Sequence, residues 1–131
     1  MKTKNFLVSG IVGTIVYFLL GWLFYAILFK DFFPPNPNEG EENILMIFLG
    51  CLTYALFIAY IFVQWAQIST AGTGAKAGAI IGLFNGLYWN FFYIAMDPTY
   101  PYEAFGVDLV IMTVSTAIVG AVIGAVNGKL G

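Results

Sequence analysis

Few residues of this chain have side chains that could do chemistry. The sequence contains no histidine, its five basic residues are all lysines, and Cys51 is its single cysteine. An internal disulfide is therefore impossible, and a zinc cluster is excluded. Carboxylates alone can do acid–base work, but no second catalytic residue type accompanies those of this chain at a recognisable spacing. We therefore predict no catalytic residues, no metal site, no cofactor and no enzymatic activity.

Two asparagines lie within an apolar run and are candidate site residues. Polar side chains inside a membrane usually mark a pathway or a binding site. Asn85 falls near the middle of its run, and Asn90 falls nearer one end. Each amide needs a hydrogen-bonding partner, which either a hydroxyl on a neighbouring helix or a bound small molecule could supply. Both possibilities stay open at the level of sequence.

Aromatic residues gather toward the same end and form a second candidate set. Its members are Trp22, Tyr25, Trp89 and Tyr93. Tryptophan and tyrosine favour the membrane–water interface, so anchoring and packing are one interpretation. The alternative is a vestibule for an organic cation, because the faces of aromatic rings attract cations.

Small residues recur at intervals of four in two of the apolar runs. The first run carries Gly78, Gly82 and Gly86, and the second carries Thr116, Gly120, Gly124 and Gly128. Residues four apart share one helix face, so each set predicts a face that another backbone can approach closely. That neighbour is a helix of the same chain in one interpretation and a second copy or partner subunit in the other.

The elements that carry these residues are predicted from composition and from the length of the apolar runs. Of 131 residues, 60% are hydrophobic and only 9% are charged, whereas about a quarter are charged in soluble domains. A helix needs about 20 apolar residues to cross a membrane. Runs of this kind cover approximately residues 5–29, 44–65, 76–96 and 108–127, and no charge lies in the middle of any run. We predict one integral membrane domain, residues 1–131, folded as a compact bundle of four transmembrane helices.

The charges predict how this bundle is oriented. Lys2, Lys4, Lys76 and Lys129 fall on one side of the four spans, and all seven acids fall on the other side. Lysines near span ends are retained in the cytoplasm, so we predict cytoplasmic termini and an outer acidic rim that includes Asp97, Glu103 and Asp108. The small residues of the segment 69–76 predict a tight turn on the cytoplasmic side.

Several motifs resemble those of a known group of membrane proteins. They are the aromatic segment 17–25, the segment 74–79 and the glycines at 120, 124 and 128. With these motifs the chain resembles small four-helix inner-membrane proteins of bacteria whose function is unknown. The resemblance implies a multi-pass protein of the bacterial inner membrane and transfers no activity or site residue.

Three functions are compatible with these patterns. We expect a non-enzymatic accessory or assembly component that packs through its glycine-rich helix faces, as a homo-oligomer or with a membrane-protein partner. The first alternative is a small oligomeric channel or transporter for a neutral or cationic solute. The absence of charge at mid-span argues against a proton relay or a carrier of charged substrates. The weakest alternative is an enzyme acting on lipid through the outer acids. The lipid bilayer is the expected environment, and no basic stripe indicates a nucleic-acid partner.

Overall fold

The computed structural model describes residues 2–24, 44–99 and 101–130, and this part of the chain is helical. Four helices are present: α1 (Thr3–Gly21), α2 (Ile44–Tyr60), α3 (Ala71–Met96) and α4 (Tyr102–Leu130). A wider π-helical turn (Ile61–Trp65) extends α2. The prediction of an all-helical chain is confirmed for these residues. In length and composition, all four helices could cross a membrane.

The bounds of the helices differ from the predicted spans at several ends. The α3 helix begins at Ala71, so most of the segment predicted as a tight turn is helical. Thr70 caps it, because its side chain accepts a hydrogen bond from the backbone N–H of Thr73. The α4 helix begins at Tyr102, six residues before the predicted span, and therefore contains Asp108. The end of the first predicted span, residues 25–29, lies outside the described residues.

The helices meet in pairs, and α4 takes part in two of these contacts. The α3 helix packs along α4, and α1 packs against both α2 and α4. A buried cluster joins the end of α2 to α4, and its members are Ile58, Ala59, Phe62, Ile68, Val119 and Ile123. Many other large apolar side chains are exposed, including all those of the first two turns of α2. Such a surface suits a helix in lipid, where the surrounding hydrocarbon is as apolar as the side chains.

The chain reverses direction sharply after α2. Gln67 adopts a left-handed backbone conformation with φ of 52°, which costs a residue with a Cβ about 1–2 kcal/mol. The backbone N–H of Ile68 donates to the carbonyl of Phe62 at 2.9 Å, so the end of α2 is capped. This turn buries Ile68 and leads into α3.

The two ends of the molecule differ in charge. The start of α1, the start of α3 and the end of α4 meet at one end, as contacts between Asn5 and Asn127 and between Ser69 and Gly128 require. These segments carry Lys2, Lys4, Lys76 and Lys129, and we call this the lysine end. At the opposite end, the acid end, α3 leads into α4 through a connection that contains Asp97.

Candidate functional site

A line of small residues brings α3 against α4, and we call it the glycine seam: Gly74, Gly78, Gly82, Gly86, Thr116, Gly120, Gly124 and Gly128. A Cβ added to Gly78 would overlap the carbonyl oxygen of Thr116, and one added to Gly120 would overlap that of Gly74. Toward the lysine end, Gly124 faces the carbonyl of Thr70 and Gly128 faces that of Ser69. The predicted glycine faces are therefore both covered within one chain. Most of their residues pack α3 against α4, and the last two glycines of α4 contact the segment that leads into α3.

The glycine seam places Asn90 beside Asp108 near the acid end. The Nδ2 atom of Asn90 donates to a carboxylate oxygen of Asp108 at 2.5 Å and to the carbonyl of Gly86 at 2.8 Å. Asn90 is fully buried and Asp108 is half-buried. The structure therefore places Asp108 in a helix contact, not on the exposed acidic rim that its position in the sequence predicted.

The depth of this pair follows from helix geometry. Asp108 lies six residues inside α4 and Asn90 six residues inside α3, which is about 9 Å from each helix end at about 1.5 Å per residue. Both helices are longer than the roughly 30 Å of hydrocarbon that a bilayer presents. In a bilayer centred on the helices, the pair lies just inside the hydrocarbon border.

Hydroxyl groups from α1 and α2 extend this polar region toward the middle of the molecule. The hydroxyl of Tyr54 lies 3.2 Å from that of Thr116, and the side chain of Asn85 lies near that of Tyr54. The ring of Tyr17 packs edge-on against that of Tyr54, with centroids 5.2 Å apart. The hydroxyl of Tyr17 donates to the sulfur of Met112 in α4 at 3.6 Å. All four helices therefore contribute polar groups to one region.

Ser115 differs from the other helical hydroxyls of this structure. Ser9, Thr14, Thr53 and Thr113 each donate to the backbone carbonyl four residues earlier. Ser115 is buried, and its hydroxyl has no hydrogen-bonding partner among the described residues. It lies seven residues after Asp108, which is two turns along the same face of α4. Buried hydroxyls usually have a partner, so Ser115 is an exception among the described residues.

We call these residues the polar cluster: Tyr17, Tyr54, Asn85, Asn90, Asp108, Ser115 and Thr116. It contains one carboxylate, two amides and four hydroxyls. Within residues 2–24, 44–99 and 101–130, no three residues of the His, Cys, Asp and Glu types are grouped as a metal site requires. The cluster therefore offers oxygen atoms and a single negative charge.

The predicted aromatic set lies mainly on the surface of the helices. Trp22, Trp89 and Tyr93 are exposed, and Trp89 stacks against Tyr93 with ring centroids 6.1 Å apart. Tyr25 lies outside the described residues. The three described rings therefore face the surroundings of the helices, as interfacial anchors do.

The two remaining acids of the predicted rim are exposed at the acid end. Asp97 accepts hydrogen bonds from the hydroxyl and the backbone N–H of Thr99, and these bonds lower the pKa of its carboxyl. Glu103 lies in the first turn of α4, where a carboxylate interacts favourably with the helix dipole.

Sequence reasoning did not select two of the polar residues that the structure brings together. Asn5 and Asn127 are 122 positions apart, yet Nδ2 of Asn5 donates to Oδ1 of Asn127 at 2.7 Å. Each of these positions is a polar residue within or beside an apolar run, and this pattern could have marked it as a candidate. Which group its side chain contacts depends on how the helices pair.

Comparisons with protein-family models, with curated proteins and with solved structures find no match to this chain. The fold and the site therefore define a class only, which is a four-helix protein with the lengths and composition of a multi-pass membrane protein.

Proposed function

We propose that the protein is a small channel or carrier subunit that handles a monovalent cation at the polar cluster. The observation that carries this proposal is the hydrogen-bonded pair of Asp108 and Asn90 within two membrane-spanning helices. Asp108 lies near the acid end of α4, just inside the hydrocarbon border, and ionisable residues within membrane spans usually mark a pathway or a site. The argument against charged solutes rested on the absence of charge at mid-span, and this proposal places the cation at the border of the hydrocarbon instead.

The charge of the cluster favours a monovalent cation over a divalent one. Calcium and magnesium are held by several oxygen ligands that commonly include more than one carboxylate. The polar cluster offers one carboxylate together with amide and hydroxyl oxygens, and this combination balances a single positive charge.

The setting of this function is also a proposal. We place the lysine end in the cytoplasm, since lysines flanking membrane spans are retained there, and the acid end outside. The resemblance to bacterial inner-membrane proteins remains a prediction. One group of four helices has little room for a pore, so a homo-oligomer would form the pathway.

Flux measurements test this function directly. Purified protein in sealed liposomes is assayed for uptake of Na⁺ and of K⁺, with the parent chain compared to Asp108→Asn. We expect the parent to conduct one of the two ions and the variant to lose most of that flux. Glu103→Gln is the matched control, because it removes an exposed acid of the same end and should leave the flux unchanged.

Two results would contradict the proposal. One is a parent protein that moves neither ion above the level of empty liposomes. The other is equal flux for the parent and Asp108→Asn.

An accessory role is the second candidate. The favouring observation is the start of α2, where every side chain from Ile44 to Leu49 is exposed. The glycine faces, for which a helix of the same chain and a partner subunit were the two alternatives, are covered within the chain, so a partner would need this other surface. Gentle extraction followed by mass measurement distinguishes the candidates. A second polypeptide favours the accessory role, and a symmetric homo-oligomer favours transport. Neither role requires catalysis.

A further inference from the structure

A polar cavity of ≈ 740 Å³ opens at the lysine end, far from the polar cluster. Three parts of the chain line it: the start of α1, the segment that connects α2 to α3, and the end of α4. The polar side chains of its wall are Lys2, Asn5, Gln64, Gln67, Ser69 and Asn127. These groups are one ammonium, four amides and one hydroxyl, and no carboxylate is among the described residues of the lining.

Buried hydrogen bonds hold two sides of this cavity together. Asn5 donates to Asn127, and Nδ2 of Asn127 donates to the carbonyl of Ile68 at 2.8 Å. These bonds link α1 and α4 to the connection that follows α2. Gln67 lies in that connection with its left-handed backbone, a conformation that persists only when surrounding structure enforces it. The cavity is therefore a built feature of the fold.

The charges around the cavity favour an anion. Lys2 lines it, and Lys4 and Lys129 belong to the same two helix ends. The acids of the described residues are Asp97, Glu103 and Asp108, and all three lie near the opposite end. The ammonium of Lys2 and the amide N–H groups of Gln64 and Gln67 are donors in the wall, whereas the amides of Asn5 and Asn127 donate within the protein. Hydrogen bonds from such donors to charged phosphate oxygens are stronger than bonds between neutral groups.

The geometry points to a binding site for a phosphate group in this cavity. Its position at the ends of the helices matches the level of lipid headgroups, and basic pockets between membrane helices hold acidic headgroups. The phosphodiester of an anionic phospholipid and a soluble phosphate ion share this chemistry. This site is independent of the cation site proposed above.

The test measures lipid binding to the full chain in detergent by native mass spectrometry. The probes are phosphatidylglycerol and a galactolipid with the same acyl chains, which lacks phosphate. We expect the parent to bind phosphatidylglycerol more tightly than the galactolipid. Inorganic phosphate is then added as a competitor. Displacement of the phospholipid assigns the site to soluble phosphate as well, and persistence of the phospholipid assigns it to the headgroup.

Variants connect this binding to the cavity. The double variant Lys2→Gln/Gln64→Ala changes two exposed side chains of the wall and leaves the buried asparagines intact. We expect about fivefold weaker binding of phosphatidylglycerol, the effect of one lysine near a charged membrane surface. Lys76→Gln is the control, because it removes one charge at the same end outside the cavity wall, and it should bind as the parent does.

Two outcomes would overturn the proposal. Equal affinity of the parent for the two lipids would show that phosphate is not recognised. Equal weakening by the double variant and by Lys76→Gln would show that the lysine end attracts anions only through its general charge. Circular dichroism of each variant verifies that the helices are retained.

Discussion

At the scale of single residues, the position of Asp108 is the feature with the most consequences. Its carboxylate accepts a hydrogen bond from an amide of the neighbouring helix, and in a bilayer centred on the helices both groups lie just inside the hydrocarbon border. Carboxylate oxygens are also the ligands that hard cations prefer. Because Asn90 also donates to the carbonyl of Gly86, its amide is fixed from two sides.

Removing the amide should destabilise this helix contact. In Asn90→Leu the carboxylate of Asp108 loses one donor, and we expect a loss of about 1–2 kcal/mol, the range of hydrogen bonds between membrane helices in model peptides. Thr53→Val is the control, since the hydroxyl of Thr53 is exposed and bonds only its own helix. Unfolding in detergent micelles measures both. Equal stability of the two variants would contradict a structural role for Asn90.

The Asp97 carboxyl gives a prediction about pH. The hydroxyl and the backbone N–H of Thr99 hold the pKa of Asp97 below its usual value. Since the folded pKa is lowered, the stabilisation is present above the unfolded pKa and is lost as pH falls through the folded pKa. In Thr99→Val the hydroxyl is absent, and the pKa of Asp97 should rise. Carboxyl carbon NMR in micelles measures it, and an unchanged pKa would refute this assignment.

Part of the site could be predicted from the sequence, and there is a physical reason why the rest could not. Asn85 and Asn90 are identifiable because an amide in an apolar run needs a partner. The sequence predicted Asp108 on an exposed rim because the apolar run begins at about this residue. Apolar composition identifies the part of a helix that crosses the hydrocarbon, but it does not show where the helix itself begins. The α4 helix continues past that part to Tyr102. Which residue faces Asn90 depends on helix pairing, which composition does not encode.

At the scale of the elements, the glycine seam sets the distance between α3 and α4. Lipid hydrocarbon provides no hydrophobic drive for helices to associate, so close backbone packing has to supply it. Glycine allows this approach, and the carbonyl oxygens of one helix come within contact of the other helix. The same contact explains why the segment 71–76 is helical despite its glycines. Gly74 packs against the backbone of Gly120, and this packing outweighs the low helix propensity of glycine.

Alanine substitutions separate packing from propensity. Gly78→Ala places a Cβ against the carbonyl of Thr116, and overpacking of this kind typically costs about 1–3 kcal/mol. Gly106→Ala lies in the facing helix, and its added Cβ would meet nothing within 4 Å. It should instead stabilise by up to about 1 kcal/mol through helix propensity. Unfolding midpoints in detergent measure both. A Gly78→Ala variant as stable as Gly106→Ala would show that the seam is not tightly packed.

At the scale of the whole molecule, the separation of charges gives the protein two different ends. The number of helices long and apolar enough to span a membrane was predictable, because apolar runs of sufficient length are separated by polar connections. The network of Asn5, Asn127 and Ile68 was not predictable, because it joins three segments that meet only in the fold. The separation of the lysines at one end from the acids at the other end is also the observation that predicts the orientation of the protein in the membrane.

Single cysteines in a Cys51→Ala background test that orientation. Thr3, Thr73 and Thr99 are all exposed, so each replacement by cysteine should be reactive wherever reagent is present. We expect an impermeant thiol reagent added outside sealed cells to label Thr99→Cys and to leave Thr3→Cys and Thr73→Cys unlabelled. After permeabilisation all three should react. The reverse pattern before permeabilisation would contradict cytoplasmic placement of the lysine end.

An exchange of the paired residues tests the central claim most directly. The double variant Asn90→Asp/Asp108→Asn moves the carboxylate from α4 to α3 and keeps the charge and its depth in the membrane, while the hydrogen bond from residue 90 to the carbonyl of Gly86 is lost. Cation flux into liposomes is measured for the parent, for Asp108→Asn alone and for the exchanged pair. We expect the single variant to lose most of the flux and the exchanged pair to recover much of it. Flux that the single variant retains in full, or that the exchanged pair fails to recover, would contradict a cation site formed by Asp108 and Asn90.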